Sequence, residues 1–220
     1  MFSILYEDDH IIAVNKPEGL ASIPERERGK ESLLSLLSPL FPGKLYIVHR
    51  LDKEVSGVIL FAKSAQAHTY LNDQFSSRSV FKTYVALVHG VIEENHGLIE
   101  KPIRQFGSGR MAVDLIRGKA SATSFEVIER FGSHTLVRVH PLTGRRHQIR
   151  VHFYSLGHPI AGDSGYGEKA VQKLYPRLML HSRKIRFRLP KGREMRVEAA
   201  IPESFQMVVD MVRTGQGKGN

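Results

Sequence analysis

Apolar and polar residues follow one another along this chain in short blocks that switch between a strand period and a helix period. Residues 4–6 and 11–14 are brief apolar runs on either side of a polar stretch, which predicts two strands and a turn. Residues 31–40 place leucines at 33, 34, 36, 37 and 40, ahead of Pro42-Gly43, and predict a helix with a stop behind it. Leu45, Ile47 and Val48, then Val58, Ile59, Leu60 and Phe61, are residues that buried strands favour. Arg50-Leu51-Asp52-Lys53-Glu54 interrupts them, and Ser56-Gly57 supplies turn chemistry. Ser64 is a suitable N-cap for a helix through Phe75, with Ala67, Leu71 and Phe75 on one buried face.

From Val80 the pattern returns to strands, and alternation puts Tyr84 on one face with Ala86 and Val88. On pattern alone Tyr84 is a half-buried core residue or a site residue. Residues 101–122 are rich in Gly and in basic side chains, with Arg104, Arg110, Arg117 and Lys119, and read either as a mobile loop closing over a ligand or as a plain hairpin. Residues 143–157 predict a helix with a buried stripe at Ile149, Phe153 and Leu156, a C-terminal Gly157 and a stop at Pro159. Arg145, Arg146 and His147 then fall near its start, where basic side chains and unpaired amides suit a phosphate. Arg26, Arg28 and Lys30 sit in a charged stretch at 22–30, a solvated loop or a further set of phosphate contacts.

Composition narrows the classes. A chain of 220 residues holds one sizeable core, and one domain over 1–220 is the simplest organisation. The net charge of +10, with an isoelectric point near 9.9, suits a partner rich in phosphate but does not prove one. The absence of cysteine excludes disulfides and thiolate metal sites and fits a reducing, cytoplasmic setting. The first residues carry Glu7, Asp8 and Asp9 and form neither a signal peptide nor a membrane span.

Several motifs fail for stated reasons. Residues 165–170, GYGEKA, match a dinucleotide glycine pattern, yet no apolar strand precedes them and no acid follows about twenty residues on. GKAS at 118–121 lacks the upstream Gly of a P-loop and the hydroxyl residue directly after Lys. His147 and His152 are five apart rather than four, so no metal site is expected. Ser164 lacks the glycines of a nucleophile elbow.

The segment HRLDKEVSG at 49–57, between its apolar runs, resembles the signature of the RluA-type pseudouridine synthases. As an isolated Arg-x-Asp it would be a charged turn with a surface ion pair. Further segments match the same family in the same order: FSILYEDDHIIAVNKPEG at 2–19, VFKTYVALVHG at 80–90, LTGRRHQIRVHFYSLGHPIAGDSGYG at 142–167 and LMLHSRKIRFRLP at 178–190. Departures are confined to Val55, Arg146 and Leu189, where the family more often has Thr, a Thr, Ser or Lys, and His.

The resemblance implies an α+β fold with a mostly antiparallel mixed sheet and a central catalytic cleft, and an enzyme that isomerises uridine in structured RNA. It implies Asp52 as the catalytic residue, with Tyr84 and Arg150 in the active site. An Arg beside a core face requires a carboxylate partner, and the resemblance supplies Asp52. Arg50, Arg145, Arg146, His147, Arg110 and Lys119 are the expected RNA-binding residues. No cofactor, no metal, no membrane and no obligatory protein partner are expected, and the protein is expected to be a monomer. The resemblance implies ribosomal or transfer RNA as the substrate. The catalytic domain starts almost at Met1, so an S4-type RNA-binding domain is not expected. Two rivals are a catalytically silent RNA-binding module, which has no need of Asp52, Tyr84 and Arg150 together, and a glycosidase, which normally needs a second carboxylate.

Overall fold

A computed structural model describes residues 1–24, 31–190 and 192–215. In chain order its elements are β1 (Ser3–Glu7), β2 (Ile11–Lys16), α1 (Leu33–Leu37), β3 (Tyr46–Ile47), β4 (Ser56–Ala62), α2 (Ala65–Ser76), β5 (Phe81–His89), β6 (His96–Ile99) and β7 (Ile103–Gln105). They continue as β8 (Met111–Val113), β9 (Thr123–Arg130), β10 (His134–Pro141), α3 (Gln148–Ser155), α4 (Lys169–Gln172), β11 (Leu180–Arg188), β12 (Glu194–Glu198) and α5 (Glu203–Arg213). This is an α+β fold. The chain divides into two compact units, residues 1–82 with 182–200, and residues 83–181 with 201–220.

In the first unit the strands run β1-β2-β4-β11, with β12 beside β11 and β3 beside β4. β1 with β2, β2 with β4, and β11 with β12 pair antiparallel. β4 is buried along its whole length, which explains its unbroken apolar run in place of alternation. Its Val58 and Leu60 pack with Ile11 and Ala13 of β2, Leu71 of α2 and Phe187 of β11. Ser64 caps α2 by accepting the Ala67 amide at 3.1 Å, as its sequence predicts. α1 is shorter than predicted: Ser32 accepts the Ser35 amide and so fixes the start at Leu33, while residues 38–40 tighten into a 3-10 turn around Pro39.

Ser56-Gly57 is not the turn predicted for it. The turn is at Lys53-Glu54, closed by the Val55 amide on the Asp52 carbonyl at 3.1 Å, and Ser56 already begins β4. Gly57 is needed for another reason: its φ is +113°, and a Cβ there would collide with the Ser182 carbonyl of β11.

In the second unit β5-β10-β9-β6 form an antiparallel sequence of strands, and β7 with β8 make a separate hairpin. The basic segment 101–122 therefore holds a hairpin rather than a structureless loop. α3 begins at Gln148, five residues later than predicted. The Gln148 carboxamide accepts from the Thr143 hydroxyl at 2.6 Å and the Arg145 amide at 3.0 Å, which ties residues 143–147 into a turn ending in left-handed His147, φ 55°. Every residue from Gln148 to Phe153 is buried, whereas Leu156 sits at the exposed C-cap and is not part of the stripe assigned to it. Gly157 adopts φ +83°, as a residue just past a helix end should. Among the described residues no helix is long and apolar enough to cross a membrane.

Candidate active site

Asp52 stands in a loop whose backbone is pinned on both sides. Lys16, at the end of β2, has no solvent exposure, and its ammonium donates to the carbonyls of Pro17 (2.9 Å), Leu20 (2.7 Å) and Lys53 (3.0 Å). Ser22 donates through its hydroxyl to the Leu51 carbonyl at 2.8 Å and accepts the Leu51 amide at 3.1 Å. The two neighbours of Asp52 are thus held by the Asn15-to-Gly19 loop and the residues just after it. Leu51 and Val55 point into the core, which leaves Asp52 half-buried and Arg50 exposed. Residues 25–30, which include Arg26, Arg28 and Lys30, lie outside the described residues.

His49 braces the same loop. Its Nε2 accepts the Leu60 amide at 3.0 Å and its ring stacks on Phe75 with centroids 4.9 Å apart. Burial, reinforced by the Lys82 charge, depresses its pKa to about 3. The ring is neutral near pH 7, with its proton on Nδ1 because Nε2 is the acceptor.

In the second unit Tyr84 lies in mid-β5 opposite Val139 of β10 and is 9% exposed, on a face with buried Ala86 and Val88. Arg150 projects from α3 into a buried bidentate pair. Its Nε donates to Asp163 Oδ2 at 2.8 Å and its Nη2 to Oδ1 at 2.7 Å, with the two side chains 7% and 0% exposed. Asp163 Oδ1 also accepts the amides of Gly165 (3.0 Å) and Tyr166 (3.2 Å). The preceding Gly162, φ +77°, passes so near the Arg177 carbonyl that a Cβ would collide with it. Arg150 does require a carboxylate, as its sequence position predicts, but Asp163 within the same unit meets that need. Burial of Arg150 therefore does not by itself select Asp52 as its partner.

Tyr166 joins these parts. Its hydroxyl lies 3.1 Å from the Met111 carbonyl, to which it donates, and 3.0 Å from His147 Nδ1. Its ring is 5.2 Å from the Arg150 guanidinium, and burial pushes its phenol pKa up. Arg145 and Arg146 are exposed, and the Arg145 side chain donates to the Ala120 carbonyl at 3.2 Å. Two amides near the predicted helix start have partners within the turn: that of Arg145 donates to the Gln148 side chain and that of Gln148 to the Arg145 carbonyl at 3.1 Å. Arg110 is exposed, with its guanidinium over the rings of Tyr154 and Tyr166. Lys119 is exposed on a backbone bridge to Ile103. No group of three His, Cys, Asp or Glu residues that could hold a metal ion occurs among the described residues.

A family model described as RNA pseudouridylate synthase matches residues 10–155, a span that takes in the Asp52 loop, β5 with Tyr84, and α3 with Arg150. The chain belongs to the RluA family of pseudouridine synthases. Members are isomerases that convert uridine to pseudouridine in RNA. The chain is 40% identical over 196 residues to the dual-specificity RNA pseudouridine synthase RluA of Vibrio cholerae, covering 88% of this chain and 80% of that protein. It is 38% identical over 229 residues to ribosomal large subunit pseudouridine synthase D of Pseudomonas aeruginosa, covering 96% and 71%. Among solved structures, human RNA pseudouridylate synthase domain containing 4 superposes with a TM-score of 0.79 at 26% identity, over 96% of this chain and 93% of that one.

Lys16, Ser22, Asp163 and Tyr166 are not singled out by sequence reasoning. Lys16 lies in the matched Asn-Lys-Pro-x-Gly loop, and Asp163 and Tyr166 in the matched GDSGYG stretch, so the signal is present. Their partners include groups 13 and 55 residues away along the chain, and only the fold brings them together.

Proposed function

We propose that this protein isomerises uridine to pseudouridine in structured RNA, with Asp52 as its catalytic carboxylate, Tyr84 and Arg150 as active-site partners, and ribosomal RNA as the substrate. The reaction breaks the bond between ribose C1′ and N1, turns the base and joins C1′ to C5. The hydrogen on C5 leaves as a proton and N1 gains one, so atoms and electrons balance without a redox partner. Asp52 acts either as a nucleophile at C1′ or C6 or as a base on the sugar.

The observation that carries this reading is the Asp52 loop. A half-buried carboxylate is presented from a turn whose flanking residues are anchored by Lys16 and Ser22. Such anchoring suits a group that must meet a reacting atom within fractions of an ångström. A uridine stacked in a helix is out of reach, so the base must be flipped out, at a cost of a few kcal/mol offset by phosphate contacts and by stacking in the enzyme. Tyr84 stacks on or hydrogen-bonds the flipped base. Arg50 fills the space it leaves, and Arg110, Lys119, Arg145, Arg146 and His147 contact the backbone. The net charge of +10 favours that approach. The ribosomal choice follows the name of the Pseudomonas relative, and transfer RNA is the other candidate.

Pseudouridine mapping on RNA from cells with and without the gene tests this reading. The expected result is at least one uridine modified only when the gene is present, in large-subunit ribosomal RNA, and restored in vitro by the purified protein. An unchanged map would contradict it.

A further inference from the structure

We propose that the pocket between the β7–β8 hairpin and α3 takes an unpaired nucleobase of the substrate RNA, separate from the uridine that is isomerised. The proposal rests on the RNA-acting function above and adds a second point of recognition to it. The cavity measures about 530 Å³, a size typical of small-ligand sites, and its walls include Phe106, Met111, Val151, Tyr154 and Tyr166. None of the residues given a catalytic role, Asp52, Tyr84 or Arg150, lines it.

The chemistry of the walls selects the occupant. Arg110 stands 5.7 Å from the Tyr154 centroid and 5.3 Å from that of Tyr166, and the two rings are 5.9 Å apart at 53°. Tyr154 and Phe106 are 45% and 42% exposed, so two aromatic side chains on facing elements remain open to solvent at one cavity. Unstacked RNA bases are held by aromatic faces and guanidinium planes of this kind, with basic side chains nearby for phosphate. Arg117 and Lys119, on the same hairpin segment, are exposed cations. No acidic residue lines the pocket, and Asp114, the acid on that segment, is bound to Arg104 at 3.1 Å. An aliphatic ligand has no use for a cation stacked between rings. A nucleotide uses both the rings and the positive field.

Two variants perturb the pocket in opposite ways. Ala112→Trp, on β8, fills it, and Phe106→Ala with Tyr154→Ala strips its aromatic faces at exposed positions. The binding probe is a twelve-residue single-stranded oligouridylate with one central 2-aminopurine, whose fluorescence is quenched by stacking. The activity probe is total RNA from cells lacking the gene. The wild-type protein is expected to quench the probe. Both variants are expected to bind it about tenfold more weakly and to raise KM on total RNA by a similar factor with kcat unchanged. If Ala112→Trp fails to fold, the stripped variant carries the test alone. A probe left unquenched by wild-type protein, or variants that bind as tightly as wild type, would overturn the proposal. So would variants that change sedimentation but not RNA affinity, since the pocket would then be a contact between copies of this chain. Quenching that depends on the pocket, in a protein that modifies no uridine, would keep this proposal and remove the assigned activity.

Discussion

Replacing Asp163 by Asn removes one negative charge from beneath Arg150 while keeping side-chain size and an oxygen able to accept the Gly165 and Tyr166 amides. The loss therefore reports the ion pair rather than the turn. Arg150 and Asp163 are 7% and 0% exposed, and two hydrogen bonds of 2.8 and 2.7 Å join them. Breaking a buried pair by deleting one partner typically costs about 3 to 5 kcal/mol, because the survivor is left charged in a poorly solvated place. At about 2 to 4 °C per kcal/mol for a chain of this size, the melting temperature should fall by roughly 6 to 20 °C. A control is the exposed pair Arg138–Glu126, 2.7 Å apart but 47% and 52% exposed, where Glu126→Gln should cost about 1 kcal/mol or less. Urea unfolding of both variants, of Arg150→Met and of the double variant Asp163→Asn plus Arg150→Met decides the matter. The double variant should be more stable than the sum of its singles implies. A loss at Asp163 no greater than that at Glu126, or additivity within about 0.5 kcal/mol, would refute the reasoning.

Lys16→Met keeps the length of a buried side chain but leaves three carbonyls without their donor, so it should cost about 1 to 3 kcal/mol or more and slow turnover by loosening the Asp52 loop; unchanged stability and rate would deny Lys16 that role. His49 titrates near 3 when folded and near 6.5 when unfolded. Below pH 6.5 the unfolded chain takes a proton that the folded ring refuses, so stability should fall as pH drops, by about 2 kcal/mol from this residue between pH 7 and 5; denaturant titrations of wild type and His49→Gln check that the variant falls less. RNA affinity should drop steeply from roughly 50 to 200 mM salt, and Arg145→Ala or Arg146→Ala should shallow the slope by about 0.7 to 0.9 for each phosphate no longer neutralised; a flat profile in filter binding would remove RNA as the substrate.

The element order up to β5 is legible because local signals agree with it: the apolar runs of β2 and β4 and the Ser64 cap each act within a few residues, as does the Gly157 stop of α3. α3 reads five residues too long because the periodicity passes over the one breaker in 143–147, Gly144, and the turn there depends on the Gln148 side chain reaching back to Thr143 and Arg145. Gly57 reads as a turn residue because the close approach of Ser182 lies 125 residues away in sequence. β6, β9, β10, α4, β12 and α5 are not among the elements predicted, although in α5 Phe205, Val208 and Val209 show helical spacing and are buried. Of the site, motif order alone draws attention to Asp52, Tyr84 and Arg150. Lys16 and Ser22, which hold the Asp52 loop, and Asp163, which holds Arg150, depend on long-range geometry that composition and periodicity do not encode.

The central claim is that Asp52 carries the isomerisation. Its most direct measurement is release of tritium from RNA labelled at uridine C5, since C5 exchanges its hydrogen for the new glycosidic bond, with wild-type protein and Asp52→Asn compared under single-turnover conditions. Steady release is expected from the wild type and none from Asp52→Asn, with circular dichroism and RNA affinity unchanged because binding resides mainly in phosphate contacts. An Asp52→Asn protein that retains more than about a tenth of the wild-type rate, a deficit of only about 1.4 kcal/mol in barrier, would contradict it and leave Asp52 as a turn residue.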